Sequence, residues 1–255
     1  MSEKKQHHLE IHTHGSDPEH YHGHHDPHRE KSGLADIILG GQDGLVNVLG
    51  IVLGVAAATK DPYLVIVAGL AATFAESVSM AAVAYTTALA ETAHFESERD
   101  REYRHVRRVP IVEREEIRDI YREKGFEGDL LDQIVEKITA DDDVWVGVMM
   151  AEEHQLAPVT RIDAIRSAFV VGAAALVGSL IPLTPFFPFF FLSTGISIGI
   201  SLVVSALTLF AVGYYKARTT VGHPTKSGLE MTVIGILSAL VGYAVGLLLK
   251  VPTTP

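Results

Sequence analysis

The chain has 255 residues, a formal net charge of −10 and no cysteine. Without cysteine there are no disulfides, thiolate metal sites or thiol nucleophiles, which leaves oxygen, imidazole and thioether as metal ligands. The acidic balance, with no basic patch set among aromatic residues, excludes nucleic acid as a partner and favours cations.

Residues 1–33 come first, with nine histidines between His7 and His28 set among Asp, Glu, Gly and Pro. Such a stretch cannot build a core, so a disordered, metal-collecting cytosolic tail is expected. It also lacks the apolar centre of a secretory leader. Leu34–Ala58 is the first predicted membrane span and Tyr63–Ala90 the second, separated by a turn at Thr59-Lys60-Asp61-Pro62. Residues 91–163 are dense in charge and are read as a cytosolic helical metal-binding domain. Ala164–Leu183, Phe189–Tyr215 and Gly228–Leu249 complete the spans, and residues 251–255 form a short tail. Each span meets the roughly 20 apolar residues that a hydrocarbon core about 30 Å thick requires. Pro182, Pro185 and Pro188 predict a rigid, non-helical link between spans three and four. The fold class is therefore all-α, an integral membrane protein with five transmembrane helices and a cytosolic helical insertion between spans 2 and 3.

Basic residues set the orientation. Arg99, Arg101, Arg104, Arg107 and Arg108 lie in the insertion, and Lys216, Arg218 and Lys226 lie between spans four and five. Both regions are expected in the cytosol, with the amino terminus, and the carboxyl terminus outside or in a lumen.

Polar residues inside the spans carry the functional reading. Asp43 and Asn47 follow Asp36 at intervals of seven and four, which places all three on one face of the first helix. Glu76 and Met80 are four apart in the second, with Ser79 beside Met80. Carboxylates at mid-depth are costly unless they face a cavity, a partner or a cation. A thioether one turn from a carboxylate suits a borderline divalent metal better than calcium or magnesium. Asp36 is close enough to the helix end to be merely interfacial. Glycines recur four apart at Gly50/Gly54, Gly195/Gly199 and Gly242/Gly246. They predict close helix approach, within the chain or across a homodimer whose two-fold interface encloses the path.

In the insertion, the second span is predicted to continue as a helix to about Arg108 and to break at Val109-Pro110. Glu91, His94, Glu98, Glu102 and His105 share one face of it. A helix opening near Val112 carries Glu113 and Glu116. After a turn at residues 125–128, another runs over about 129–139. A last one, capped at Asp141, brings Met149, Met150 and Glu153 together at helical spacing. Two Glu-x-x-His elements, Glu91 to His94 and Glu102 to His105, have the form that di-iron bundles use, although here both lie on one helix.

The run Gly40-Gly41-Gln42-Asp43-Gly44-Leu45-Val46, Ser79-Met80, the helical insertion, and Met149-Met150 before Glu152-Glu153 together resemble the vacuolar iron transporter family. The resemblance covers Leu34 to Leu249. It implies a five-span homodimer exchanging ferrous iron, and often manganese, for protons, with Asp43 and Met80 lining the path. It also maps metal-collecting groups onto Glu102, Glu113, Glu116, Met149, Met150 and Glu153. Two positions depart from the family pattern: Ala72 stands where a glutamate is usual, with Glu76 one turn later, and His105 stands where a carboxylate is usual. The second departure tilts metal preference toward zinc or nickel, and cobalt belongs with them as a candidate cargo. The reading is a secondary transporter without a prosthetic group, with divalent metal ions, protons and lipid as its partners. A membrane-anchored iron oxidase and a metal buffer or sensor are the alternatives.

Overall fold

The computed structural model describes residues 31–187, 192–220 and 222–249. The histidine-rich stretch up to residue 30, Pro188, Phe189 and residues 251–255 lie outside the described residues.

Among the described residues the chain is helical, without strands: α1 (Lys31–Thr59), α2 (Pro62–Arg108), α3 (Pro110–Glu123), α4 (Gly128–Ile138), α5 (Asp142–Glu152), α6 (Arg161–Leu183), α7 (Thr194–Thr219) and α8 (Pro224–Leu248). Five of these, α1, α2, α6, α7 and α8, are long and apolar enough to cross a membrane. Large apolar side chains stay exposed around the bundle, among them Phe169, Val177, Leu207 and Val241. A surface of that kind is stable against lipid and not against water.

Helix α1 is the centre of the bundle, packed against α2, α6, α7 and α8. Its Leu45, Val48, Leu49 and Val52 are almost wholly buried. Small residues let the backbones close. A Cβ added at Gly246 would stand 2.0 Å from the Gly54 carbonyl oxygen, and one at Gly242 would stand 2.3 Å from that of Gly50. Two of the three glycine pairs therefore meet each other inside the chain, which fixes the rotation of α1 against α8. Gly195 and Gly199 have nothing within 4 Å of where a Cβ would be.

The link after α6 differs from its prediction in one respect. Helix α6 runs through Pro182 to Leu183, and Pro185 sits in a 3₁₀ turn, Thr184–Phe186. The carbonyls left unpaired at this helix end are capped from α7, where Ser201 donates to the Pro182 oxygen at 2.6 Å and Ser197 to that of Pro185 at 2.9 Å. These hydroxyl groups tie the proline-rich end of α6 to α7. Helix α7 opens at Thr194, later than the predicted Phe189.

Helix α2 has 47 residues, about 70 Å at 1.5 Å per residue, so it crosses the bilayer and projects well beyond it. Asp61 caps its start, accepting from the Tyr63 amide at 2.8 Å. It stops at Val109, whose φ of −134° leaves the helical region ahead of Pro110, the first residue of α3. A turn with Gly125 at φ +92° and Gly128 at φ +59° leads to α4. Asp141 then opens α5 by accepting from the amides of Asp143 and Val144. The projecting end of α2 and helices α3 to α5 share one core, which includes Val106, Ile117, Leu131, Val135, Trp145 and Met149. Tyr103 donates to Asp143 at 2.7 Å across the α2–α5 contact, and Lys124 pairs with Glu152 at 2.7 Å between α3 and α5.

Candidate metal sites

Two polar groupings follow from this frame, one between the spans and one in the insertion. Between the spans, antiparallel α1 and α2 bring Asn47 opposite Glu76. The Asn47 amide nitrogen donates to Glu76 Oε1 at 3.1 Å and to Asp43 Oδ2 at 3.3 Å. One amide thus joins two carboxylates that are 33 residues apart in the chain. Toward the charged insertion, Met80, Asp36 and Glu91 line a cavity of ≈ 240 Å³ between α1, α2 and α6. A neighbouring cavity of ≈ 560 Å³ shares Asp36 and Glu91 and adds Asp163 and Arg166. The order from the insertion inward is Glu91 and Asp36, then Met80 and Asp43, then Asn47 and Glu76. Asp36 to Asn47 is eleven residues, about 16 Å along the helix axis. On its far side Asn47 borders a groove of ≈ 510 Å³ between α1 and α8, together with Ser238.

Asp36 lines both cavities. Glu76, one turn after Ala72, places one oxygen against the same amide as Asp43.

In the insertion, the face of α2 that carries Glu102 and His105 is covered by α3 and by the end of α5. Glu102 and Glu113 are each 3% exposed. His105 Nδ1 lies 3.4 Å from Glu113 Oε1 and 3.9 Å from Glu102 Oε1. His154 Nε2 lies 3.1 Å from the same Glu102 oxygen. Arg101 Nε approaches that oxygen only to 4.0 Å. The second oxygens of Glu102 and Glu113 are buried without a hydrogen-bond partner. Buried carboxylate oxygens left in this state are costly, and a cation removes the cost.

Electrostatics agree with crowding of like charge. Burial, followed by the charges of Glu116 and Glu102, lifts the Glu113 carboxyl to about 7. Burial and Glu116 push Glu153 upward as well. Four carboxylates, Glu102, Glu113, Glu116 and Glu153, thus repel one another in a space with one nearby arginine.

The other expected ligands are placed less directly. Met149 and Met150 are 0% and 3% exposed and belong to the apolar core. They pack with Val106 and Ile117, each one turn along its helix from Glu102 or Glu113. Glu98 is engaged by Arg101 at 2.5 Å and joins neither group of clustered ligands. Glu91 and His94 are exposed, about 16 Å along α2 from Glu102 and His105. The two Glu-x-x-His elements therefore do not share a site. His154 is the cluster member that sequence spacing does not reveal, because it lies past the end of α5.

The sequence profile of the VIT family matches residues 34–247. The chain belongs to the VIT family. Its curated VIT relatives include vacuolar iron transporter 1 of Oryza sativa subsp. japonica, 32% identical over 231 residues that cover 88% of this chain and 89% of the relative. The protein of the same name from Tulipa gesneriana is 31% identical, with 83% and 85% covered. The vacuolar iron transporter of Plasmodium berghei is 27% identical, with 94% and 90% covered. Family membership and five apolar helices together make the chain a multi-pass integral membrane protein.

Proposed function

We propose that this protein moves ferrous iron across a membrane, out of the cytosol, in exchange for protons. The observation that carries the reading is the ladder between α1 and α2, where Asn47 joins Asp43 to Glu76 and Met80 follows one turn away. Acid groups at that depth are stable when a cation or a proton accompanies them. A carboxylate that gives up one for the other alternates between two neutralised states, which is exchange without nucleotide. The relatives named as iron transporters favour iron as the cargo. The oxygen and thioether ligands also admit manganese, cobalt, nickel and zinc.

Metal enters in this scheme from the cytosolic cluster around Glu102 and Glu113, passes Asp36 and Glu91, and reaches Asp43 and Glu76. Asn47 is exposed on the flank of the single chain. An exposed amide beside two carboxylates within hydrocarbon is incomplete alone, so a second copy closing that flank as a homodimer belongs to the proposal.

The test is iron flux into proteoliposomes with an imposed pH gradient. Asp43→Ala and Glu76→Gln should each reduce flux at least tenfold. Undiminished flux in both would overturn this route.

A further inference from the structure

Helices α6 and α7 are pinned together at one end and part toward the other. Far from the insertion, Ser197 and Ser201 of α7 hold the carbonyls of Pro185 and Pro182. Toward the insertion the two helices follow different neighbours. A Cβ added at Gly40 of α1 would stand 2.2 Å from the Val171 carbonyl oxygen of α6, whereas one at Gly213 of α7 would stand 2.7 Å from the Ser227 carbonyl oxygen of α8. Contacts that close draw α6 onto α1 and α7 onto α8. The space left between them is a groove of ≈ 800 Å³, walled by α1, α6 and α7 and bordered by Leu34, Ile37, Leu45, Val177, Leu207 and Tyr215.

The walls are almost wholly apolar, and Thr208, one of the few polar groups on them, turns its hydroxyl back to the Val204 carbonyl at 2.9 Å. Ile37, Val177, Leu207 and Tyr215 are each more than half exposed. Leu34 to Leu45 on α1 and Val204 to Tyr215 on α7 each span eleven residues, about 16 Å along a helix axis. That is half of a hydrocarbon core about 30 Å thick, the depth of one leaflet. Leu45 is two residues from both Asp43 and Asn47, a rotation of about 200° around the helix. The groove therefore lies on the side of α1 turned away from the polar ladder. Its mouth is basic. Arg218 follows Leu207, Ala211 and Tyr215 at intervals of four, four and three, which puts it on the groove side of α7, one turn beyond the last lining residue. It is exposed, and among the described residues no carboxylate lies within ion-pair reach of it. On α6, the packing of Gly40 against Val171 and of Gly44 against Ala175 sets a register that brings Arg166 level with residue 35. Ile37 borders both the groove and the cavity that Arg166 lines with Asp36, Glu91 and Asp163.

We propose that this groove binds an anionic glycerophospholipid from the leaflet on the insertion side, with one acyl chain between α6 and α7 and the phosphate on Arg218, facing Arg166 across the mouth. An acyl chain matches the apolar walls and the one-leaflet depth, and a guanidinium offers a phosphate two parallel hydrogen bonds. A basic mouth at the membrane surface selects an anionic headgroup over a zwitterionic one. The site requires only that the chain be a membrane protein and is independent of which ion it carries.

The test uses the full-length protein in phosphatidylcholine nanodiscs that contain a trace of phosphatidylglycerol carrying a photoreactive diazirine in one acyl chain. After illumination, adducts are mapped residue by residue by mass spectrometry. Val177, Val204 and Leu207 should be labelled at least fivefold more than Phe169 and Val241, which are exposed elsewhere on the bundle. Added unlabelled phosphatidylglycerol should remove that excess at least fivefold more effectively than the same amount of added phosphatidylcholine. Arg218→Gln should bring this headgroup preference below twofold, and Ala211→Phe, which fills the groove from an exposed position on its wall, should abolish the excess labelling. Labelling spread evenly over the five spans would overturn the proposal and leave only lipid in bulk contact. Equal competition by the two lipids would overturn the anionic headgroup, and groove residues shielded from label would overturn lipid altogether and point to a second copy as the occupant. These three outcomes are read on the unaltered protein, so they decide the matter even where a variant fails to fold.

Discussion

Proton competition at Glu113 gives the sharpest quantitative test of the carboxylate cluster in the insertion. Its carboxyl is held near 7 by burial and by the neighbouring acids. Metal binds the ionised form, so the proton must leave first. For a single group at about 7, the ionised fraction falls from roughly nine-tenths at pH 8 to roughly one-tenth at pH 6, a tenfold loss of apparent affinity. An ordinary carboxylate near 4.5 would contribute nothing over that range. Glu113→Gln removes this titration while keeping the side chain's size. Calorimetric titration of cobalt at about pH 6, 7 and 8 should show an affinity ratio between the extremes that is about tenfold smaller in the variant than in the unaltered protein. The amino-terminal histidines are present in both and cancel in the comparison. Equal pH slopes would show that Glu113 is not a ligand, or that its proton is not the one displaced. The same upward shift has a consequence for stability. A carboxyl whose affinity for protons is higher folded than unfolded stabilises the metal-free fold at low pH, and this contribution is lost as pH rises from about 4.5 through about 7. Metal restores it.

Other outcomes follow from the packing. Gly246→Leu would drive a side chain into the Gly54 carbonyl and should lower stability by about 1–3 kcal/mol or more, read as a fall in the melting temperature in detergent. Gly147→Ala, on an open helical face with nothing within 4 Å, should instead raise the stability of the helical insertion by about 0.5–1 kcal/mol. Met149→Ala removes a wholly buried side chain and should cost about 2–5 kcal/mol. Met149→Leu should preserve the fold at a cost under about 1.5 kcal/mol, so that a loss of metal binding in it would identify the sulfur as a ligand. Asn47→Leu should reduce flux in proteoliposomes by at least tenfold with little change in melting temperature. Normal flux in that variant would place the metal route elsewhere.

Much of the frame was legible because it depends on local chemistry. Pro110 dictates the break after α2, and Asp141 dictates the start of α5, since each acts on the backbone within a turn of itself. The spans follow from composition for the same reason. The contact of Asn47 with Glu76 was not legible, because it depends on how α1 is rotated against its neighbours. Glycine contacts such as Gly54 with Gly246 fix that rotation, and no periodicity within one helix encodes it. Helical spacing grouped Glu102 with His105 but could not say that α3 would lay Glu113 over them. His154 escaped altogether, since its position is set by a chain reversal beyond the last helical turn. Helical spacing groups Met149 and Met150 with Glu153, yet their depth in an apolar core comes from how α5 packs on α2 and α3 and not from their own sequence. Pro182 does not end α6 because it is the last residue but one of that helix, which reaches Leu183.

The uninterrupted α2 carries both the carboxylate cluster of the insertion and the polar ladder between the spans. From residue 70 to residue 108 it contains neither glycine nor proline, so little within it can absorb bending. Glu102 and Glu76 are 26 residues apart on that arm, or about 39 Å. Tilting so long an arm by only a few degrees about its insertion end displaces the other end by ångströms, a distance comparable to the length of a coordination bond.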